Sequence, residues 1–151
     1  MLIGAAACLV GAQYLSATGL SITEYRVGKP LACIELVDDA FLLSFIHSVS
    51  LTPVYDEYKL LQDGGRYQIL QTKERFFAHG QGLPSLVNEP DAIAFEHSDG
   101  QFILHLNRVI KNLIVRTDRR FKNQLHSGDR TINLNQWPDT GLGIRPVGHC
   151  Q

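Results

Sequence analysis

The chain has 151 residues, of which 44% are hydrophobic and 19% charged, and its formal net charge is −1. That length and apolar content suffice for one domain with a hydrophobic core and exclude a disordered chain. The near-neutral balance excludes a global electrostatic pull toward nucleic acid or an anionic membrane.

The first element is apolar. No charged side chain precedes Glu24, and "MLIGAAACLVGA" is small and hydrophobic almost throughout. A spanning helix needs roughly 20 such residues, a length reached here only by including Gln13, Ser16 and Thr18. Residues 1–20 are therefore expected to form a signal or anchor segment that gives any membrane association, with 21–151 as a single β-rich domain. The alternative is a buried first element of the fold. Ala5-Ala6-Ala7-Cys8 looks like a lipidation box, although a small buried cysteine is the plainer reading. In an oxidising compartment Cys33 and Cys150 can pair, tying the first strands to the C-terminal residues. No C-x-x-C is present, so a zinc site on the cysteines is the weaker reading, and no cofactor is expected.

Turn signals then recur between short apolar runs. Val27-Gly28-Lys29-Pro30 precedes "LACIEL", Asp38-Asp39 precedes "AFLLSFIHS", and Asp63-Gly64-Gly65 separates "VYDEYKLL" from "RYQILQTKERFF". Ser98-Asp99-Gly100 and Ser127-Gly128-Asp129 follow. Glycine and aspartate at these places suit tight hairpins that need a positive φ. The spacing predicts roughly eight to ten strands, and the short connections favour antiparallel pairing. No window past the N-terminus keeps a helical period for three turns. The expected fold is all-β, an antiparallel β-sandwich or partly open barrel. With Gly64-Gly65 at the centre of its hairpin, Asp63 should face Arg66, Leu60 Ile69, Tyr58 Gln71, and Asp56 Lys73, leaving Glu57 on the other face opposite Thr72.

Two stretches carry groups capable of chemistry. In "FIHSVSLTPV", His47 and Ser48 are adjacent, so on a strand their side chains point to opposite faces and cannot form a dyad. The plain expectation is a histidine bonded to backbone at a strand end, with Ser48 and Thr52 shaping the turn before Pro53. In "RFFAHGQGLP", Gly80 and Gly82 with Pro84 mark a sharp loop. Its amides can cradle an anion, with Arg75 or His79 adding charge, or it can be an ordinary sheet corner. No helix follows, so neither a dinucleotide nor a P-loop site is read here.

"SFIHSVSLTPVYDEYKLL" followed by "RYQILQTKERFFAHGQGLP" resembles the two-part signature of a bacterial domain of unknown function, family eighteen-fifty. His47, Ser48, Val49, Pro53, Val54, Glu57, Gly80, Gly82, Leu83 and Pro84 occupy the matching places, and "LHSGDRTINL" is similar to the family's last hairpin. His79 stands where the family has an aromatic residue. The resemblance implies no established enzymatic activity. Members often begin with a short hydrophobic segment and are encoded beside TAXI-type TRAP solute transporters. An extracytoplasmic, periplasmic or membrane-attached accessory role is thereby implied, with transporter membrane subunits or a small anion as the partner.

Three functions follow from these residues. The first is a noncatalytic binding module in which His47, Ser48, Glu57, Arg75, His79, Gly80, Gly82 and Pro84 grip a partner. The second is a hydrolase, metal-dependent or not, using His47, Glu57 and His79 for proton transfer or as ligands. The third is a structural role for the signature, with the working surface elsewhere. Arg108, Lys111, Arg116, Arg119, Arg120, Lys122 and Arg130 stand against only Asp118 and Asp129, a solvated face or a patch for anionic headgroups or an acidic partner. Phe121 is the one ring within that run, so single-stranded nucleic acid is not expected. Trp137-Pro138-Asp139 reads as an anchored turn whose indole covers the core.

Overall fold

The structure is a computed structural model that describes residues 18–78 and 89–151. Among the described residues it is all-β and sandwich-like, with eleven strands in two antiparallel sheets and no barrel closure. In chain order the strands are β1 Gly19–Glu24, β2 Pro30–Glu35, β3 Ala40–Ile46, β4 Pro53–Asp63, β5 Arg66–Phe76 and β6 Ala92–Ser98. They continue as β7 Gln101–Ile110, β8 Leu113–Arg116, β9 Gln124–Ser127, β10 Arg130–Asn133 and β11 Gly141–Val147. One sheet has four strands in the order β2-β1-β11-β8, and the other seven, β10-β9-β3-β4-β5-β7-β6. No helix longer than a 3-10 turn occurs among the described residues, and none is long and apolar enough to cross a membrane. Most of the hydrophobic N-terminal segment and Cys8 lie outside the described residues. Gly19 and Leu20, at its end, are already the first residues of β1 and pair with both β2 and β11.

All five turn signals become turns between consecutive strands. Asp38 and Asp39 both have φ near +54°, Asp99 and Gly100 take +52° and +74°, and Gly64 and Gly65 take +53° and +80°. Positive φ at both central residues gives a hairpin turn whose twist matches that of its strands. From it the β4–β5 register runs as expected through Asp63↔Arg66, Leu60↔Ile69 and Tyr58↔Gln71.

Beyond that point the register departs from the expectation. A bulge at Thr72 makes Glu57 face Lys73 and Asp56 face Glu74, so Asp56 does not meet Lys73. The Thr72 hydroxyl donates to the Glu57 carbonyl at 3.2 Å, which anchors the extra residue across the strand pair.

Two apolar clusters fill the interior. Leu20, Ile22, Ile34, Leu142 and Ile144 from the smaller sheet pack on Phe41, Leu43, Tyr58, Leu60, Ile69 and Leu125 of the larger one. Trp137 packs on this cluster from its turn. Val54, Phe76, Leu104 and Leu106 form a second cluster farther along the larger sheet. Strand parity places Asp56 and Tyr58 of β4, Gln71 and Glu74 of β5, and Arg108 of β7 on the same inner face, between the two clusters. Cys33 and Cys150 form a disulfide with Cα atoms 5.6 Å apart, joining β2 to the segment after β11.

Candidate functional site

The corner from His47 to Thr52 is built around the imidazole. Its Nδ1 accepts from the backbone amides of Val49 at 3.3 Å and Ser50 at 3.2 Å. The His47 amide donates to the Thr52 carbonyl and the Leu51 amide to the His47 carbonyl, each at 2.9 Å. The Ser50 and Thr52 hydroxyls lie 2.8 Å apart. These bonds hold Leu51 at φ +55°, a left-handed conformation that costs a non-glycine residue about 1–2 kcal/mol. His47 is thus the polar corner that the alternation of the strand implied. Its side of the corner borders a cleft, as does Ser48.

Glu57 is elsewhere. It follows Asp56 on the strand and therefore points to the outer face of the larger sheet. There its carboxylate lies 2.9 Å from Arg75 Nε and 3.6 Å from Lys73 Nζ. The Arg75 guanidinium also stacks over the Tyr55 ring, 5.2 Å from its centroid. Arg75 is therefore held by the sheet surface. His79, Gly80, Gly82 and Pro84 lie outside the described residues. His47 and Glu57 are not brought together, and no group of three metal-ligating side chains occurs among the described residues.

A second histidine, not singled out by sequence, sits on that outer face. His126 of β9 has its Nε2 2.8 Å from the Ser44 hydroxyl of β3 and its Nδ1 2.9 Å from the Thr131 hydroxyl of β10. Burial holds its imidazole below the ordinary histidine range, so it is neutral near pH 7. The chain of bonds laces three adjacent strands.

The inner face carries the strongest electrostatic perturbation. Asp56 accepts from Gln71 Nε2 at 3.3 Å and from the Tyr58 hydroxyl at 3.4 Å. Burial pushes its carboxyl up to about 7, against the partial relief of those two bonds and of Arg108. Glu74, its cross-strand neighbour, is pushed up to about 8 by burial and by the charges of Asp56 and Glu89. Arg108 does little for the pair because it is engaged elsewhere. Its guanidinium bonds Glu89, Asp91 at 3.2 Å and Gln71 at 3.3 Å. Arg108 thus leaves the solvated basic run in which its sequence neighbours placed it. Two like charges this close cannot both ionise cheaply, so near neutral pH the pair retains a proton. Parity was the available signal, since Val54, Asp56, Tyr58 and Leu60 alternate on one face and Glu74 shares that of Phe76.

Asp56 and Tyr58 also form part of the wall of a cleft of about 330 Å³ between the two sheets. Leu43, Phe45 and His47 border it from β3 and its turn, Leu113 to Arg116 from β8, Phe121 and Asn123 from the segment after β8, and Gln124 from the start of β9. Its volume lies at the lower end of the range of about 300–1,000 Å³ seen for small-molecule pockets.

The sequence model of a family described as "Domain of unknown function (DUF1850)" matches residues 41–134. That span holds the seven-stranded sheet except for Ala40, together with β8, while β1, β2, β11 and both bonded cysteines lie outside it. No curated protein and no solved structure matches the chain.

Proposed function

The chain belongs to the DUF1850 family, and on that premise we propose that it is a noncatalytic binding module acting outside the cytosol, where it engages a partner at the His47 corner. The observation that carries this reading is the cleft of about 330 Å³, bordered by His47, Ser48, Asp56, Tyr58 and Arg116. The hydrogen bonds that occupy the His47 ring make the corner rigid, which suits recognition because little freedom is lost on docking. The Cys33–Cys150 bridge supports an extracytoplasmic location, since such links persist in oxidising compartments. The resemblance to proteins encoded beside TRAP-type transporters supports a membrane subunit of such a transporter as the partner. A small anion in the cleft would meet Arg116, since Arg75 is already taken by Glu57.

The test is co-purification. The tagged full chain is produced together with TRAP-type membrane subunits and recovered from detergent-solubilised membranes. The subunits are expected with the wild type, and reduced recovery with Phe121→Asp at unchanged melting temperature. Recovery no greater than with an unrelated tagged protein would overturn the proposal.

A further inference from the structure

Strand β3 is paired on its two sides over different lengths. It bonds β4 from Ala40 to Ile46 but β9 only from Leu42 to Ser44. Past Ser44, none of the described strands pairs with β3 on the β9 side. The His47 amide donates to Thr52, toward β4. In an antiparallel ladder the preceding residue directs its N–H and C=O the other way, so Ile46 presents both groups on the side that β9 has left.

The opposite bank is also an unpaired edge. Among the described residues, β8 ends its sheet and pairs with β11 alone. The cleft is bordered by the unbroken runs Leu43 to Ser48 and Leu113 to Arg116. Successive strand residues point to opposite faces, so an unbroken run borders one space only where the backbone edge itself faces it. Unpaired edges of this kind accept a further strand.

What would lie there is set by the walls. Leu43, Phe45, Val115 and Leu134 make the interior apolar. Gln124 borders this cleft and also an adjoining one that contains Arg119 and Lys122. Arg116, Arg119 and Lys122 are exposed, and none has a carboxylate within ion-pair distance among the described residues.

We propose that the gap between β3 and β8 is a strand-addition site for an extended, acidic segment of a partner polypeptide. Main-chain bonds to Ile46 and the β8 edge provide the pairing. Alternate apolar side chains enter the cleft, and acidic side chains reach Arg116, Arg119 and Lys122. This rests on the reading of the domain as a binding module and specifies how it binds.

Phage-displayed random dodecapeptides are selected on the full chain, and enriched peptides are measured by fluorescence polarisation. The expected winners alternate apolar residues and carry Asp or Glu. N-methylation of alternate peptide amides should weaken them about tenfold or more, as should Arg116→Glu with Arg119→Glu. Bound peptide should slow hydrogen exchange at the Ile46 amide. Enrichment of peptides without acidic residues, or affinity indifferent to N-methylation, would overturn the proposal. So would a full chain that light scattering shows to be dimeric through this edge and that binds no peptide. If transporter subunits co-purify equally with the Arg116→Glu, Arg119→Glu variant, strand addition is wrong while the binding-module reading stands.

Discussion

Glu74→Gln should remove about 2 kcal/mol of the stability that the chain loses between pH 4 and 8.5. Glu74 moves from an ordinary value of 4.5 to about 8 in the folded chain, chiefly because it is buried. The native state then holds a proton that the unfolded state releases. Stability falls wherever the native state binds more protons, so the wild type loses stability as pH rises from about 4.5 to about 8. Below that window both states are protonated and no cost arises. Above it the whole cost of two facing carboxylates is borne. For a group sealed from water that cost would be about 5 kcal/mol. The Glu74 side chain is only half-buried, and solvent screening reduces it to about 2 kcal/mol. Asp56 is raised chiefly by its own burial, so its share of the pH dependence remains in the variant. Urea unfolding at pH 4, 7 and 8.5, followed by fluorescence of the single tryptophan Trp137, measures this directly. The glutamine variant should match the wild type at pH 4 and exceed it by about 2 kcal/mol at pH 8.5. A variant whose stability falls with pH as steeply as the wild type would refute the reasoning.

Other consequences are open to equally simple measurement. Replacing Cys33 and Cys150 by serine reopens a sequence separation of 117 residues, which the chain-entropy treatment values at about 5 kcal/mol; equal urea midpoints with and without the bridge would contradict this. Ser127→Ala removes a buried hydroxyl that donates to the Ala40 carbonyl and accepts from the Val37 amide, both at 2.9 Å. A loss of about 1–3 kcal/mol is expected, and a change under 0.5 would show that water replaces the hydroxyl. His126→Ala should lower stability by about 1 kcal/mol by cutting the bonds that lace β3 to β10. The wild type should show no turnover of p-nitrophenyl acetate that depends on Ser44. Ester hydrolysis lost specifically on Ser44→Ala would turn that lacing into a nucleophile and its base.

Where the sequence was informative, the reason was local. Glycines and aspartates fixed the five turns because few residues accept a positive φ, and alternation fixed which side chains of β4 face inward. Thr72 was invisible because a threonine inside a strand looks the same whether paired or bulged. The single-residue slip exchanges a favourable Asp56–Lys73 contact for Glu57 with Lys73 and Arg75 outside and Asp56 beside Glu74 inside. Distant pairings left no local mark either. The meeting of β1 with β11 and of β3 with β9 brings together segments far apart in the chain. The cleft depends on where β9 stops, so its outline followed from the register and not from any motif. His47 was placed correctly as a backbone-bound corner because its strand-end position and the Pro53 that follows left the turn little choice.

The four-stranded sheet sets an order of assembly. Strand β11 stands between β1 and β8, so neither is joined to the other until β11 has been made. A polypeptide still threading out of a ribosome would hold β1 and β2 as a lone hairpin, with Leu20, Ile22 and Ile34 wetted on one side. Early synthesis therefore gives nothing finished, and the smaller sheet closes only when its last strand arrives.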